Sequence, residues 1–310
     1  MEEQQRTEVR NMVNIFIGLM IVRVYEYFLS DFDRPTLSFI TYAFGILLMV
    51  IFNRKHCWSL SDFGIQGVLN NSFWEVILPA LIWLGSLLII IVPEYLICTL
   101  GGAEQPYFDL ICFNQHVELV LSKVDTTILI SWTIMGAIIC AFRALFLEIY
   151  FRGFCFGVLR KKTGFYLCNM IQALLYSLFF FVGPVRSLLY SEDKGKTAVL
   201  FVLFLVSQFL FSLRQGYVRL ICGTVWPCVL TTFLFNFFTY NVLIYGIGGV
   251  DFADYADCIR WILIQGISLL ATLAYCKKMK KKFPPPKPNA AQQEEIKLME
   301  ELASQQEAED

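Results

Sequence analysis

One carboxylate and two guanidinium groups fall within ten residues of otherwise apolar sequence in "CAFRALFLEIYFRGF": Arg143, Glu148 and Arg152. A buried carboxylate can serve as a general base if its surroundings hold it near neutrality, whereas a neighbouring guanidinium keeps it ionised. Glu148 and Arg152 are four residues apart, the spacing that stacks side chains on one helical face, so an ion pair is expected between them. Arg143 shares its face with Leu147 and Phe151, roughly 100° away from that pair, and has to find its partner on another helix or in water. A second group of polar residues follows in "GTVWPCVLTTFLFN", where Pro227 removes a backbone donor and Thr232 and Asn236 recur four apart on one face.

Gln172 and Gln208 add amide groups, and Tyr176 a phenol, in neighbouring apolar stretches. The ordinary role of such groups is to join helices, at about 0.5–2 kcal/mol each. Should the helices enclose a cavity, Arg143, Gln172, Tyr176 and Gln208 are the polar residues expected to line it. Arg143 would then suit an anionic headgroup, which is the pattern of a protein that binds lipid or a small molecule. Arg23 and Glu26, three apart, are expected to satisfy one another on the first apolar stretch. The chain has two histidines, His56 and His116, both in expected loops, and no CxxC pair. A zinc-type site wants about three His, Cys or carboxylate ligands, so no metal and no other cofactor is expected.

The elements that must position these groups are membrane helices. Of 310 residues, 57% are hydrophobic and 16% aromatic, and the mean hydropathy is +0.58. A bilayer core takes about 20 apolar residues per helix. The expected fold is an all-α polytopic membrane protein with about eight spans, near residues 11–29, 36–53, 73–99, 127–159, 164–184, 196–213, 217–246 and 256–276. No cleavage-site pattern follows the first stretch, so it is expected to stay as a span. Placing the N-terminus in the cytoplasm puts Arg54 to His56, Arg160 to Lys162, Arg214 with Arg219, and Lys277 to Lys282 inside. The acidic connections with Glu104 and Asp109, or Asp251, Asp254 and Asp257, then fall outside. Both termini are therefore expected in the cytoplasm. A formal net charge of −1 offers nothing to recruit nucleic acid; the lipid bilayer is the evident surroundings. Most of the ten cysteines sit in or beside apolar runs, where a thiol acts as a small hydrophobe.

The chain is expected to divide into N-terminal helices with an outer loop (1–126), a core whose bounds (127–245) are those of the family resemblance given next, a last span (246–282) and a cytoplasmic tail (283–310). The tail opens on a Pro-rich extended spacer and ends in an acidic, helix-forming segment.

Three segments together resemble the CPBP intramembrane metalloprotease family, which includes the CAAX proteases and the Abi-like bacteriocin-processing proteins: "LEIYFRG", "NMIQALLYSLFF" and "SLRQGYVRLICGTVWPCVLTTFLFN". The family's first motif has two adjacent glutamates, three residues and an arginine; Leu147 stands at the first glutamate position while Glu148 and Arg152 are retained. Its second has an aromatic and, four residues on, a histidine; Tyr176 fits, and Phe180 replaces the histidine. Its third has histidine followed four residues later by asparagine or aspartate; Thr232 replaces the histidine, and Asn236 is retained. The resemblance implies a CAAX-protease-like helical bundle whose peptidase chemistry has been lost, a pseudoprotease acting as scaffold, chaperone or regulator. The alternative it leaves open is an endopeptidase with a rearranged site, which would call for zinc. As partners it implies another membrane or secreted protein, with a cell-wall hydrolase or a peptide-export component as candidates, and as location a bacterial cytoplasmic membrane.

Overall fold

Along these helices large apolar side chains face outwards as well as inwards, and many polar ones are buried, unlike the pattern of a water-soluble bundle. In the first helix Val13, Ile17, Ile21 and Val24 form an exposed stripe, while Arg23 and Glu26 are buried. In the fourth, Ile130, Ile134, Ile138 and Phe142 are exposed, and Glu148 is fully buried. Contiguous exposed apolar surface on this scale is the mark of a protein solvated by lipid. The computed structural model describes residues 2–28, 34–56, 62–65, 73–100, 108–110, 126–161, 163–244 and 255–279.

The order of elements is α1 (Glu2–Phe28), α2 (Arg34–His56), α3 (Phe73–Leu100), β1 (Phe108–Leu110), α4 (Thr126–Glu148), a π-helical segment (Ile149–Cys155), α5 (Phe156–Arg160), α6 (Phe165–Phe179), α7 (Val182–Tyr190), α8 (Lys194–Cys222), α9 (Trp226–Asn241), β2 (Val242–Ile244) and α10 (Tyr255–Met279). The described residues are thus almost entirely helical. The exception is one short antiparallel pairing, with Phe108 opposite Ile244 and Leu110 opposite Val242. Among the described residues four helices are long and apolar enough to cross a membrane: Trp74–Ile97, Thr133–Arg160, Lys194–Cys222 and Tyr255–Met279. The pair α6 and α7, bent by 42°, is a fifth if taken as one broken span. The protein is integral to a membrane.

Several expected boundaries are corrected by this arrangement. The stretches 196–213 and 217–246 do not meet at a loop carrying Arg214 and Arg219. Instead α8 runs unbroken through both arginines to Cys222, stops where Gly223 takes φ 68° and returns its N–H to the Arg219 carbonyl, and α9 follows. The helix survives these charges because its neighbours satisfy them, as described below. At its other end Asp193 accepts the Lys196 N–H at 2.9 Å, a side-chain cap for an orphan donor. The stretch 164–184 is likewise two helices, with Phe180 at the break. His56 is the last residue of α2 rather than part of a loop. His116, the acidic connections apart from Asp109 and Asp257, and the C-terminal tail lie outside the described residues.

Two sets of contacts define the two ends of the bundle. At one end Lys161 bridges Glu8 at 3.0 Å, Val225 donates to the Gly64 carbonyl at 3.0 Å, Trp226 Nε1 donates to Ile65 O at 2.9 Å, and the Cys222 thiol meets Glu75 O at 3.4 Å. That last carbonyl is open because Pro79, four residues on, has no N–H to offer it. At the opposite end β1 pairs with β2. There Arg260 also holds Glu94 through two 2.7 Å bonds and Asp257 at 2.8 Å, tying α3 to α10.

The core between these ends is aromatic. Phe146, Tyr150, Phe151 and Phe154 interlock with Tyr176 and Phe179, Phe151 meeting Tyr176 edge to face at 5.1 Å. Small residues allow this closeness. A Cβ on Gly216 would lie 1.8 Å from Asn169 Oδ1, and one on Gly153 would lie 2.8 Å from the Phe63 carbonyl oxygen.

Candidate functional site

The helix that carries the acid and base changes pitch where they stand. Glu148 ends the α-helical part of its span, and Ile149–Cys155 is wound as a π-helix before α5 resumes. Such insertions are rare and occur often at functional sites. Six of the seven π-helical residues are buried. Across this segment Glu148 Oε2 and Arg152 Nε lie 3.2 Å apart, both side chains fully buried, so the ion pair expected from the spacing forms.

Each partner is then held by a different helix. From α8, Ser212 takes two bonds from Arg152 Nη2, at 2.8 Å to its hydroxyl and 3.3 Å to its carbonyl. The guanidinium also lies over the Tyr176 ring, 4.3 Å from its centroid, a desolvated cation–π contact. From α9, the Thr232 hydroxyl donates to Glu148 Oε1 at 2.5 Å. Gln215 on α8 donates to Thr232 Oγ1 at 2.9 Å and to the Cys228 carbonyl at 3.2 Å. Arg214 donates to Gln215 Oε1 at 3.2 Å and to the Pro79 carbonyl of α3. The result is a directed chain of donors, Arg214 to Gln215 to Thr232 to Glu148, joining α3, α8, α9 and α4.

On the other side of Arg152 the chain continues through α6. Gln172 donates to Ser212 O at 3.2 Å and to Asn169 Oδ1 at 2.8 Å, and Asn169 donates to Leu213 O at 3.0 Å. These bonds need α6 and α8 to touch, which is what Gly216 permits. Arg219, in the last turn of α8, donates to the Arg152 carbonyl at 3.4 Å.

Residues singled out from the sequence are thereby sorted. Glu148, Arg152, Thr232, Gln172 and Tyr176 meet in one network. Asn236 is buried on α9 one turn from Thr232, but among the described residues its Nδ2 finds no hydrogen-bond partner, so the bond to the ion pair comes from Thr232. Gln208 is buried one turn from Ser212 and makes no bond to the network. Arg143 sits apart, its guanidinium 5.3 Å from the Phe180 ring centroid. Sequence reasoning missed Arg214, Gln215, Ser212 and Asn169. The signal for the first three was a run of polar residues, "SLRQG", which resembles a loop until its partners on other helices are known.

Residues 129–238, somewhat over a third of the chain, match the family model described as type II CAAX prenyl endopeptidase Rce1-like. Over that segment the chain is similar to the type II CAAX prenyl endopeptidases. The matched segment runs from α4 into α9 and so contains the whole network apart from Pro79. No curated protein matches the chain.

Against the CAAX-protease motifs, the three replaced positions are all buried. Leu147 is fully enclosed in the aromatic core. Phe180 packs on Tyr176 and Phe179 at 5.1 and 5.5 Å. Thr232 donates a hydrogen bond to the retained glutamate. The family resemblance implies a metal, and these residues do not fit one: the positions offer a single carboxylate, already paired with Arg152. Among the described residues no group of three or more His, Cys, Asp or Glu is placed to hold a metal ion.

Proposed function

We propose that this protein is a catalytically inactive CAAX-protease-like membrane protein that works by binding, as a scaffold, chaperone or regulator of another membrane or secreted protein. The observation that supports this reading is the state of Glu148. One of its oxygens faces Arg152 Nε and the other accepts the Thr232 hydroxyl. A general base must present a free lone pair to water, and this carboxylate is fully buried with both oxygens engaged by neighbouring side chains. The positions where the family has another glutamate and two histidines carry Leu147, Phe180 and Thr232, of which none is a base at neutral pH. Glu148 and Arg152 are kept, and with Ser212 and the replacement Thr232 they clamp α4 to α8 and α9.

The same reading includes eight crossings with both termini in the cytoplasm. It is supported by the placement of Glu8, Gly64, Lys161 and the α8–α9 turn at one end, and of the β1–β2 pairing at the other. The resemblance makes a cell-wall hydrolase or a peptide-export component candidate partners. The test is to incubate the purified protein with a prenylated CAAX peptide and analyse the products by mass spectrometry, alongside purification in mild detergent to recover a companion protein. The reading expects intact peptide and a companion; cleavage that disappears in Glu148→Ala would replace it with an endopeptidase that uses a rearranged site.

A further inference from the structure

We propose that residues 289–310 of this chain lie as a helix across the end of the bundle where α10 stops, covering a row of five adjacent elements. The surface is apart from the Glu148 network, and the contact does not depend on whether the core hydrolyses peptides. Packing defines the row: α10 packs on α8, α8 on α6, α6 on α5 and α5 on α1. All five reach the end that holds the Lys161–Glu8 bridge. There α6 begins at Phe165, just after α5 closes at Arg160. There too α8 closes at Cys222, whose thiol meets Glu75 O. The last turn of α10 also lies at this end, since its first turn carries the Arg260 bonds to Glu94 at the opposite one.

The row is cationic at both ends and aromatic in the middle. Lys277 and Lys278 are exposed in the last turn of α10. At the other extreme Arg10 is exposed on α1, and Arg160 is half-buried where α5 closes. Among the described residues none of these four is in an ion pair. Between them Tyr166 is 75% exposed, and Phe165 meets the half-buried Tyr217 edge to face at 5.1 Å. The acids described at this end are Glu8, which Lys161 takes, with Asp62 and Glu75, so the row is left positive.

The segment after α10 carries the complementary pattern. Residues 289–310 hold seven acids and one lysine, Lys297. Glu294 and Glu295 precede an apolar middle, and Glu307, Glu309 and Asp310 follow it. In that middle Ile296, Met299 and Ala303 recur at three- and four-residue spacing, the pattern of one helix face. Exposed ion pairs are individually weak, so the contact needs this apolar face on Tyr166 as well as the flanking charges.

The lengths agree. Packed helices stand about 8–10 Å apart, so five neighbours in a row span about 35 Å. As a helix, residues 289–310 would be about 33 Å long. The spacer Phe283–Pro288, with four prolines in six residues, reaches about 19 Å when extended, enough to turn the segment back over the bundle. A partner that uses this face has to displace the segment first, which makes the contact a regulator of access.

The experiment is amide hydrogen exchange on the full chain, one copy per phosphatidylcholine nanodisc, so that a second copy cannot supply the contact. Amides of residues 294–306 should exchange at least tenfold more slowly than in a free peptide of residues 289–310. Roughly 0.5 M salt, which screens exposed charges, should remove most of that protection. Lys277→Glu with Lys278→Glu should remove it too, as should Tyr166→Ala. Glu300→Lys with Glu301→Lys should do the same from the other side of the contact, with the bundle itself unaltered. Exchange as fast as in the free peptide would overturn the proposal. So would protection that survives the charge reversals or Tyr166→Ala, since the bilayer rather than this face would then be the cover.

Discussion

Thr232 donates a hydroxyl hydrogen bond to Glu148 across 2.5 Å, from the position where CAAX proteases carry a histidine to a glutamate they retain. The replacement therefore does more than remove a base. It supplies the remaining carboxylate with a neutral donor and ties α9 to α4.

Thr232→Val keeps the shape of the side chain and removes that donor. Glu148 Oε1 and Gln215 Nε2 would each lose a bond in a dry core, and a buried group left unsatisfied is worth about 1–3 kcal/mol. Thermal unfolding in detergent should show a lower midpoint for Thr232→Val, and Thr232→Ser should recover most of the difference.

Breaking the ion pair from either side should be more damaging than removing it whole. Glu148→Leu leaves two buried guanidinium groups with no acid in their network, and Arg152→Leu leaves the carboxylate without its counter-charge; each loss is expected to destabilise by about 3–5 kcal/mol. The double variant Glu148→Leu with Arg152→Met should be more stable than either single one. A double-mutant cycle on unfolding free energies checks the sign.

Gly216→Ala probes the seam between α6 and α8. The added methyl would overlap Asn169 Oδ1, and overpacking of this kind commonly destabilises by about 1–3 kcal/mol. Asn169→Ala in the same background should recover part of that loss by making room. If Gly216→Ala alone leaves the midpoint unchanged, the two helices are further apart than described.

How far the sequence reveals this arrangement differs from residue to residue. The Glu148–Arg152 and Arg23–Glu26 pairs were legible because both members lie on one helix, where spacing alone decides contact. The course of α8 was not. Arg214, Gln215 and Arg219 lower the local hydropathy enough to suggest a loop, and the groups that make them tolerable come from elsewhere: Pro79 on α3, Cys228 and Thr232 on α9, and the Arg152 carbonyl on the π-helical segment. The break at Phe180 was hidden for a related reason, since the apolar run continues through it. Asn236 shared a face with Thr232 as the four-residue spacing required, but face and partner are different questions, and the turn nearer the ion pair won.

Sidedness can be read by impermeant thiol labelling of cysteines introduced in a background whose native thiols are replaced. Lys161→Cys, at the end that holds Glu8, should label only from the cytoplasmic side, and Glu192→Cys, in the turn between α7 and α8, only from the opposite side. Labelling of both from one side would mean that α6 and α7 do not cross as a pair.

The most direct test of the central claim is hydrolysis itself, measured with the full chain in lipid nanodiscs and a prenylated CAAX peptide, with product formation followed by mass spectrometry. With Leu147, Phe180 and Thr232 in the motif positions, the account predicts no product above a protein-free control, with or without added zinc. Product formed by the intact chain and abolished by Glu148→Ala would contradict it.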